Sequence, residues 1–150
     1  MTERLGAAAG AAAPPGRAEL VSTHGLSGGR GPGMDQYGGG ALLGLSLGHT
    51  RARLARAGME GVAYHVRWSI EAMENVGFDI GDLQAIGGGN ASPLWTQIIA
   101  DVTGRRLRIV EHPLEAGAMG AALAGAGGLG MYPNMDAVDE RIKVKRVVEP

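Results

Sequence analysis

The fold of this chain is decided around one stretch, Ala85-Ile86-Gly87-Gly88-Gly89-Asn90-Ala91-Ser92-Pro93-Leu94-Trp95. Residues 82–86 favour a short strand, which three consecutive glycines then end. Ser92 is typical of a helix N-cap, because its hydroxyl can accept from a free N–H, and Pro93 suits the first helical position because it lacks an N–H. The stretch therefore predicts a strand, a glycine loop and a capped helix that ends at Gly104.

The three glycines predict a loop that binds a ligand through its main chain. Without a Cβ, a glycine lets a ligand approach the backbone closely. The free N–H groups at the start of the following helix favour a phosphate. A tight turn without a ligand is the alternative, but three glycines between a strand and a capped helix favour the ligand loop.

Composition and charge exclude several classes of function. The net charge of −1 gives no general attraction to nucleic acid or to an anionic membrane. The chain has no cysteine, which excludes disulfides, thiolate catalysis and cysteine metal sites, and its four histidines lack metal-ligand spacing. No apolar run reaches the roughly 18 residues that a membrane span needs. We therefore expect a cytoplasmic protein without nucleic acid, membrane or a metal site of its own.

A long helix should begin at Thr50 or Arg51 and reach Asn75, with Gly77 as its C-terminal glycine. Five residues at helical spacing predict its apolar face: Met59, Val62, Val66, Ile70 and Met73. The charged side chains on the other face include two pairs four residues apart: Arg56 with Glu60, and Arg67 with Glu71. Gly58 and Gly61 each cost a helix about 1 kcal/mol, which predicts close packing at these positions.

The remaining patterns predict an α/β domain with helices layered on a sheet. Residues 41–47 form an apolar run that suits a buried strand, although a helix fragment of that length would look similar. Residues 105–110 alternate as a half-exposed or edge strand does. Residues 115–125 predict a helix of small residues that packs closely against the sheet or the glycine loop. Residues 1–25 are interpreted as a disordered or aberrant segment, because they hold few bulky apolar side chains.

The glycine loop does not fully match the sequence motif of either of two common nucleotide-binding classes, the P-loop kinases and the NAD-binding Rossmann domains. A P-loop kinase needs a lysine in its glycine loop, and no lysine precedes Lys143. An NAD-binding Rossmann domain remains an alternative, because Gly87-x-Gly89-x-x-Ser92 nearly matches its fingerprint and Glu111 follows about 20 residues later. Ser92 in place of the third glycine, and Pro93 after it, argue against that alternative.

The segment 87–104 resembles the adenosine-binding segment of the FGGY carbohydrate kinases, above all their xylulokinase branch. Residues 43–52, 59–64 and 115–122 are similar to further segments of that family. The resemblance covers residues 26–145 and leaves residues 146–150 as a tail.

The resemblance implies the C-terminal lobe of an actin-like, ribonuclease-H-like ATPase fold. It implies that ATP phosphorylates a small sugar, and a pentulose such as xylulose is favoured. Mg²⁺ is the implied metal cofactor, bound mainly by the other lobe. By position, Gly88 and Gly89 would pass under the adenosine and Ser92 would lie near the adenine. Gly87 and Asn90 would shape the loop. No catalytic residue and no metal ligand is assigned in this chain.

The sequence also departs from the family pattern. Gly29 replaces the family's Glu in Gly-Glu-Arg-x-Pro, while Arg30 and Pro32 remain, and Gly38-Gly39 stand where Ala-Arg is usual. The family's sugar-binding domain and catalytic aspartate have no counterpart here, so the isolated chain is expected to be inactive. The alternative is a catalytically incomplete nucleotide-binding fragment, or a split subunit that joins a complementary N-terminal kinase lobe. Exposed apolar surface suggests homo-oligomers as a further hypothesis.

Overall fold

The computed structural model describes residues 20–23, 25, 28, 37–134, 136–137 and 141–150. In this part of the chain the elements are β1 (Val21–Thr23), β2 (Ala41–Leu43), α1 (Arg51–Asn75), β3 (Leu83–Ala85), a 3₁₀ turn (Gly88–Ala91), α2 (Pro93–Thr103), β4 (Leu107–Val110), α3 (Ala116–Gly128) and β5 (Val144–Val148). The mixed α/β class is as predicted. Among these helices none is long and apolar enough to cross a lipid bilayer.

Helix α1 has the predicted boundaries. The Thr50 hydroxyl accepts from the Arg53 N–H at 3.4 Å, which caps its first turn. At the other end Gly77 adopts a φ of +95°, and its N–H donates to the Glu74 carbonyl at 2.9 Å. The Phe78 N–H donates to the Met73 carbonyl at 3.2 Å. These two bonds form a Schellman motif, which explains why the helix ends here.

Helix α2 is also capped as predicted. The Ser92 hydroxyl accepts from the Trp95 N–H at 3.3 Å, and Pro93 is the first helical residue. Gly104 ends the helix with a φ of +65°, and its N–H donates to the Ala100 carbonyl at 2.9 Å.

A three-stranded sheet lies beside α2, in the order β3-β4-β5. Strand β4 runs parallel to β3 and antiparallel to β5. The prediction of an edge strand at residues 105–110 is therefore wrong. Strand β4 is central, and its residues Leu107, Ile109 and Val110 are buried. The prediction relied on polar residues that alternate with apolar ones, but Arg105 and Arg106 lie before the strand and not in it.

Two strands lie in segments that were not predicted to be structured. Strand β5 includes most of the expected tail 146–150, and Val148 is buried in the core. Strand β1 lies within the segment 1–25, where Leu20 is also buried. Both strands are short, and each depends on a partner strand distant in sequence. Residues 1–19 lie outside the described residues.

Strand β2 is exposed, which contradicts the predicted buried strand. It pairs antiparallel with β1, with Val21 opposite Leu43. Every residue of 41–47 is exposed, because no described element covers this hairpin on the β2 side. Gly29, Arg30 and Pro32, which were compared with the family pattern, lie outside the described residues.

The hydrophobic core lies between the three-stranded sheet and α2. Helix α1 packs in turn against α2 and β1. The core residues come from α2, β3, β4 and β5, and they are Ala100, Leu107, Ile109 and Val148, with Leu83, Ala85 and Ile99 packed against them.

The buried side of α1 differs from its predicted apolar face. Ile70 is buried as expected, but Met59, Val62 and Val66 are only half-buried and Met73 is exposed. Small residues at 57, 61 and 63 fill the closest contacts instead.

Gly61 explains how close this packing is. A Cβ at Gly61 would overlap the carbonyl oxygen of Ser22 in β1. A Cβ at Gly58 would meet no atom of the described chain within 4 Å. The predicted close approach is therefore confirmed for Gly61 and wrong for Gly58.

We expect Gly61→Ala to lower the free energy of unfolding by about 1–3 kcal/mol, because the added methyl must push β1 away from α1. Gly58→Ala is the matched control in the same helix. It should raise stability by about 0.5–1 kcal/mol, since alanine favours the helix and the space is open. Urea unfolding of both variants measures this difference, and equal effects would contradict the packing argument.

Helix α3 forms close to its predicted position but packs loosely. A Cβ built at Gly117, Gly120 or Gly125 would meet nothing within 4 Å in the described part of the chain. No residue of α3 is fully buried. The predicted close backbone approach is therefore wrong in this chain.

Candidate functional site

The glycine loop begins directly after β3 and is anchored to the segment after β4. Gly87 has a φ of +87°, a conformation that favours glycine, and its N–H donates to the Pro113 carbonyl at 2.7 Å. The 3₁₀ turn Gly88–Ala91 follows, and the Ser92 N–H donates to the Gly89 carbonyl at 3.1 Å. The loop therefore has a defined shape between two strand ends.

Asn90 holds this turn from within. The residue is buried, and its Nδ2 donates to the Gly87 carbonyl at 3.2 Å. The side-chain amide thus closes the turn across three residues. This bond links the two ends of the turn.

The three glycines differ in the space around them. A Cβ at Gly87 would meet nothing within 4 Å, and one at Gly88 would lie 3.7 Å from Leu114 Cδ2. A Cβ at Gly89 would lie only 3.1 Å from the Trp95 indole Nε1. The main chain is thus open at Gly87 and Gly88, whereas Trp95 occupies the side-chain direction of Gly89.

A cavity of ≈ 590 Å³ lies beside the loop. Gly87, Gly88 and Asn90 line it, together with residues of β4, of the segment after β4 and of β5. Gly89 and Ser92, the other two predicted site residues, are not part of its lining. The Ser92 hydroxyl instead caps α2.

Charged residues around this cavity were not predicted to belong to one site. Glu111 and His112 follow β4, Glu115 precedes α3, and Lys145 and Arg146 lie in β5. Parallel strands end at the same edge of a sheet, so the positions after β3 and β4 could have been paired from the sequence. Lys145 and Arg146 could not, because β5 was not recognised as a strand.

A second cavity of ≈ 340 Å³ lies on the other face of the sheet, under α3. It shares Val110, Glu111 and His112 with the first cavity. Most of its wall is apolar, including Ile86 and Met119. It is the gap left by the loose packing of α3. Within the described ranges, no group of three or more His, Asp or Glu residues could hold a metal ion.

The comparison with protein families decides the identity of this domain. The C-terminal domain of the FGGY family of carbohydrate kinases matches residues 2–129. This chain belongs to the FGGY family. The resemblance recognised in the residues is therefore confirmed, and the match extends upstream of residue 26, where the resemblance was taken to begin.

Relatives include whole FGGY kinases. The chain is 37% identical over 132 residues to a xylulose kinase of Staphylococcus epidermidis, covering 87% of this chain and 26% of that protein. It is 34% identical over 120 residues to a glycerol kinase of Rhodopirellula baltica, covering 79% of this chain and 22% of that protein. The chain thus spans about a quarter of the length of these curated relatives.

Solved structures agree with the fold that the family implies. The crystal structure of xylulose kinase from Rhodospirillum rubrum superposes with a TM-score of 0.81 and 31% identity, over 99% of this chain and 29% of that one. The FGGY domain described here therefore has the expected actin-like, ribonuclease-H-like ATPase fold. The NAD-binding Rossmann alternative is set aside, because the family match accounts for the glycine loop without it.

Proposed function

We propose that this chain supplies the nucleotide-binding C-terminal lobe of an ATP-dependent sugar kinase. Membership of the FGGY family supports the reaction class. The observation that carries the proposal is the open main chain at Gly87 and Gly88, which faces a cavity of ≈ 590 Å³ at the ends of β3 and β4. Cavities of about 300–1,000 Å³ are typical of small-molecule sites.

The proposed nucleotide contacts keep the five predicted residues in their separate roles. Gly88 and Gly89 pass under the adenosine, and Ser92 lies near the adenine. Gly87 and Asn90 give the loop its shape. Gly88 is the strongest of these assignments, because it is exposed and its main chain is open to the cavity.

In this proposal the chain binds and orients the nucleotide. Phosphoryl transfer depends on positioning and on stabilising charge. ATP supplies the transferred group, and Mg²⁺ would be held by the phosphates and by the other lobe. The residues of this chain bind the nucleoside part and fix its orientation toward the sugar. A pentulose such as xylulose is the proposed acceptor, since xylulose kinases are among the relatives.

A second candidate is a nucleotide-binding module that is catalytic only with a complementary N-terminal lobe. It is favoured by the size of the relatives, in which this region is about a quarter of the chain. The two candidates share the nucleotide site and differ in turnover by the isolated chain. We also propose a cytoplasmic location and self-association through exposed apolar residues such as Leu43 and Leu47. Elution as a compact monomer in gel filtration would contradict self-association.

Two measurements test the proposal. Calorimetric titration of the chain with ATP, and with NAD as the competitor class, should show binding of ATP alone. A xylulose phosphorylation assay should show little turnover by the chain and a gain when the complementary lobe of a xylulose kinase is added. Preference for NAD, or failure to bind ATP even with that lobe, would overturn the kinase proposal. Robust turnover by the chain alone would overturn the need for a second lobe.

A further inference from the structure

Arg146 connects the last strand to the glycine loop. Its Nη2 donates to the Asn90 carbonyl at 3.4 Å and to the Thr96 hydroxyl at 3.2 Å. The side chain therefore joins β5 both to the 3₁₀ turn and to the first turn of α2. Arg146 lies opposite Ile109 of the central strand, which sets its position along the sheet.

One acceptor of Arg146 lies in the 3₁₀ turn and the other lies in the first turn of the helix that follows it. Asn90 closes the turn through the Gly87 carbonyl, so the arginine holds the same residue from the other side. Thr96 is fully buried, and its hydroxyl reaches the Pro93 carbonyl at 3.0 Å. A hydroxyl can donate one hydrogen bond and still accept another, so Thr96 can bond to Pro93 and to Arg146 at the same time.

The arginine forms no ion pair with any described residue, unlike the arginines at 56, 67, 105 and 106. Its Nη2 donates to neutral acceptors in the 3₁₀ turn and in α2, and the residue also lines the cavity. A guanidinium is suited to this task, because Nη2 carries two N–H groups in the fixed plane of the group and can hold two acceptors in one geometry.

We propose that Arg146 is a positioning residue of the nucleotide site. By holding Asn90 and Thr96 together, it keeps the turn in the conformation that presents Gly88 to the cavity. This inference rests on the proposed function and adds to it a residue from the C-terminal strand. The pairing of β5 with β4 uses backbone groups, so loss of this side chain leaves the strand in place.

The test compares Arg146→Met and Arg146→Lys with Arg106→Met as the control. Arg106 directly precedes the same sheet's central strand, at the end away from the loop, and pairs with Asp82 at 2.9 Å. We expect ATP to bind about ten-fold more weakly to Arg146→Met and about three-fold more weakly to Arg146→Lys, with the control unchanged. The lysine restores the charge and N–H donors, but not the fixed planar geometry in which Nη2 holds both acceptors.

Amide hydrogen exchange without nucleotide gives an independent readout. In Arg146→Met, protection should fall about ten-fold at Gly87, Asn90 and Ser92, while the β4–β5 ladder stays protected. If amide protection in the β4–β5 ladder fell as much as protection in the loop in both Arg146 variants, the arginine would support the fold in general. That result would overturn the proposal. Unchanged protection in the loop would also overturn it.

The two readouts separate this inference from the proposed function. If the parent chain binds no ATP even with a complementary lobe, the kinase proposal fails, and the nucleotide role of Arg146 fails with it. Exchange at the loop would still show whether the arginine positions it. If the parent binds ATP and Arg146→Met binds it equally well, the positioning role fails and the kinase proposal stands.

Discussion

Gly88→Val is expected to weaken ATP binding at least about ten-fold while leaving the fold intact, a loss of about 1.4 kcal/mol or more in binding free energy. The valine side chain would project from an exposed position into the space beside the cavity. The chain has room for the new Cβ, because Leu114 Cδ2 is 3.7 Å away, an ordinary van der Waals contact. A nucleoside lying on the main chain cannot.

Gly88 separates binding from folding better than its neighbours. Gly87 has a positive φ, so a side chain there strains the backbone itself. Gly89 faces the Trp95 indole, so a side chain there disturbs the start of α2. Loss of ATP binding in either variant would therefore have two explanations.

Gly81→Val is the control for the Gly88 variant. It adds the same side chain to an exposed glycine with nothing within 4 Å, before β3 and outside the loop. Calorimetric titration gives the ATP affinities, and urea unfolding gives the stabilities. If Gly88→Val binds ATP as tightly as the parent chain, the proposed contact of Gly88 with the adenosine is wrong. A large loss of stability in Gly88→Val alone would contradict the open space described here.

Glu60→Gln is expected to lower the free energy of unfolding by about 3 kcal/mol, because it leaves a buried arginine without its counter-charge. The Arg56 Nε lies 2.7 Å from Glu60 Oε1, and the two side chains are only 10% and 11% exposed. In this setting water cannot replace the lost carboxylate. The loss should persist in high salt, since buried pairs are screened little.

Glu71→Gln is a matched control in the same helix. Arg67 and Glu71 have the same spacing and the same 2.7 Å separation, but their side chains are 55% and 49% exposed. Their pair should contribute only about 0.3–0.5 kcal/mol. The urea midpoints of the two variants should therefore differ clearly at an unchanged m-value. Similar losses in both would show that the Arg56–Glu60 pair is effectively solvated.

The same two pairs show how far sequence reasoning reaches. Their four-residue spacing predicts both ion pairs, and both are present. The sequence also places them together on a charged face, and this is wrong for Arg56 and Glu60. Strand β1 approaches this part of α1 at Gly61, and Arg56 and Glu60 are buried there. Spacing within a helix is local information, whereas burial depends on what packs against it.

The candidate site divides in a similar way. The glycine loop and the capped helix after it follow from residues within one stretch. The charged wall of the cavity does not, because Lys145 and Arg146 reach it from a strand more than fifty residues later. The contribution of Glu111 and His112 to the site was predictable in part, since the parallel pairing of β3 and β4 could have been anticipated.

The sequence by itself determined the boundaries of α1 and α2, the glycine loop and the FGGY family. Caps, C-terminal glycines and family motifs act through neighbours a few residues apart, so they can be recognised without the fold. Only the tertiary structure decided that β4 is central, that β2 is exposed and that Arg146 holds the loop. These features depend on contacts between distant segments, because a strand acquires its partners, and a side chain its burial, only when the chain has folded.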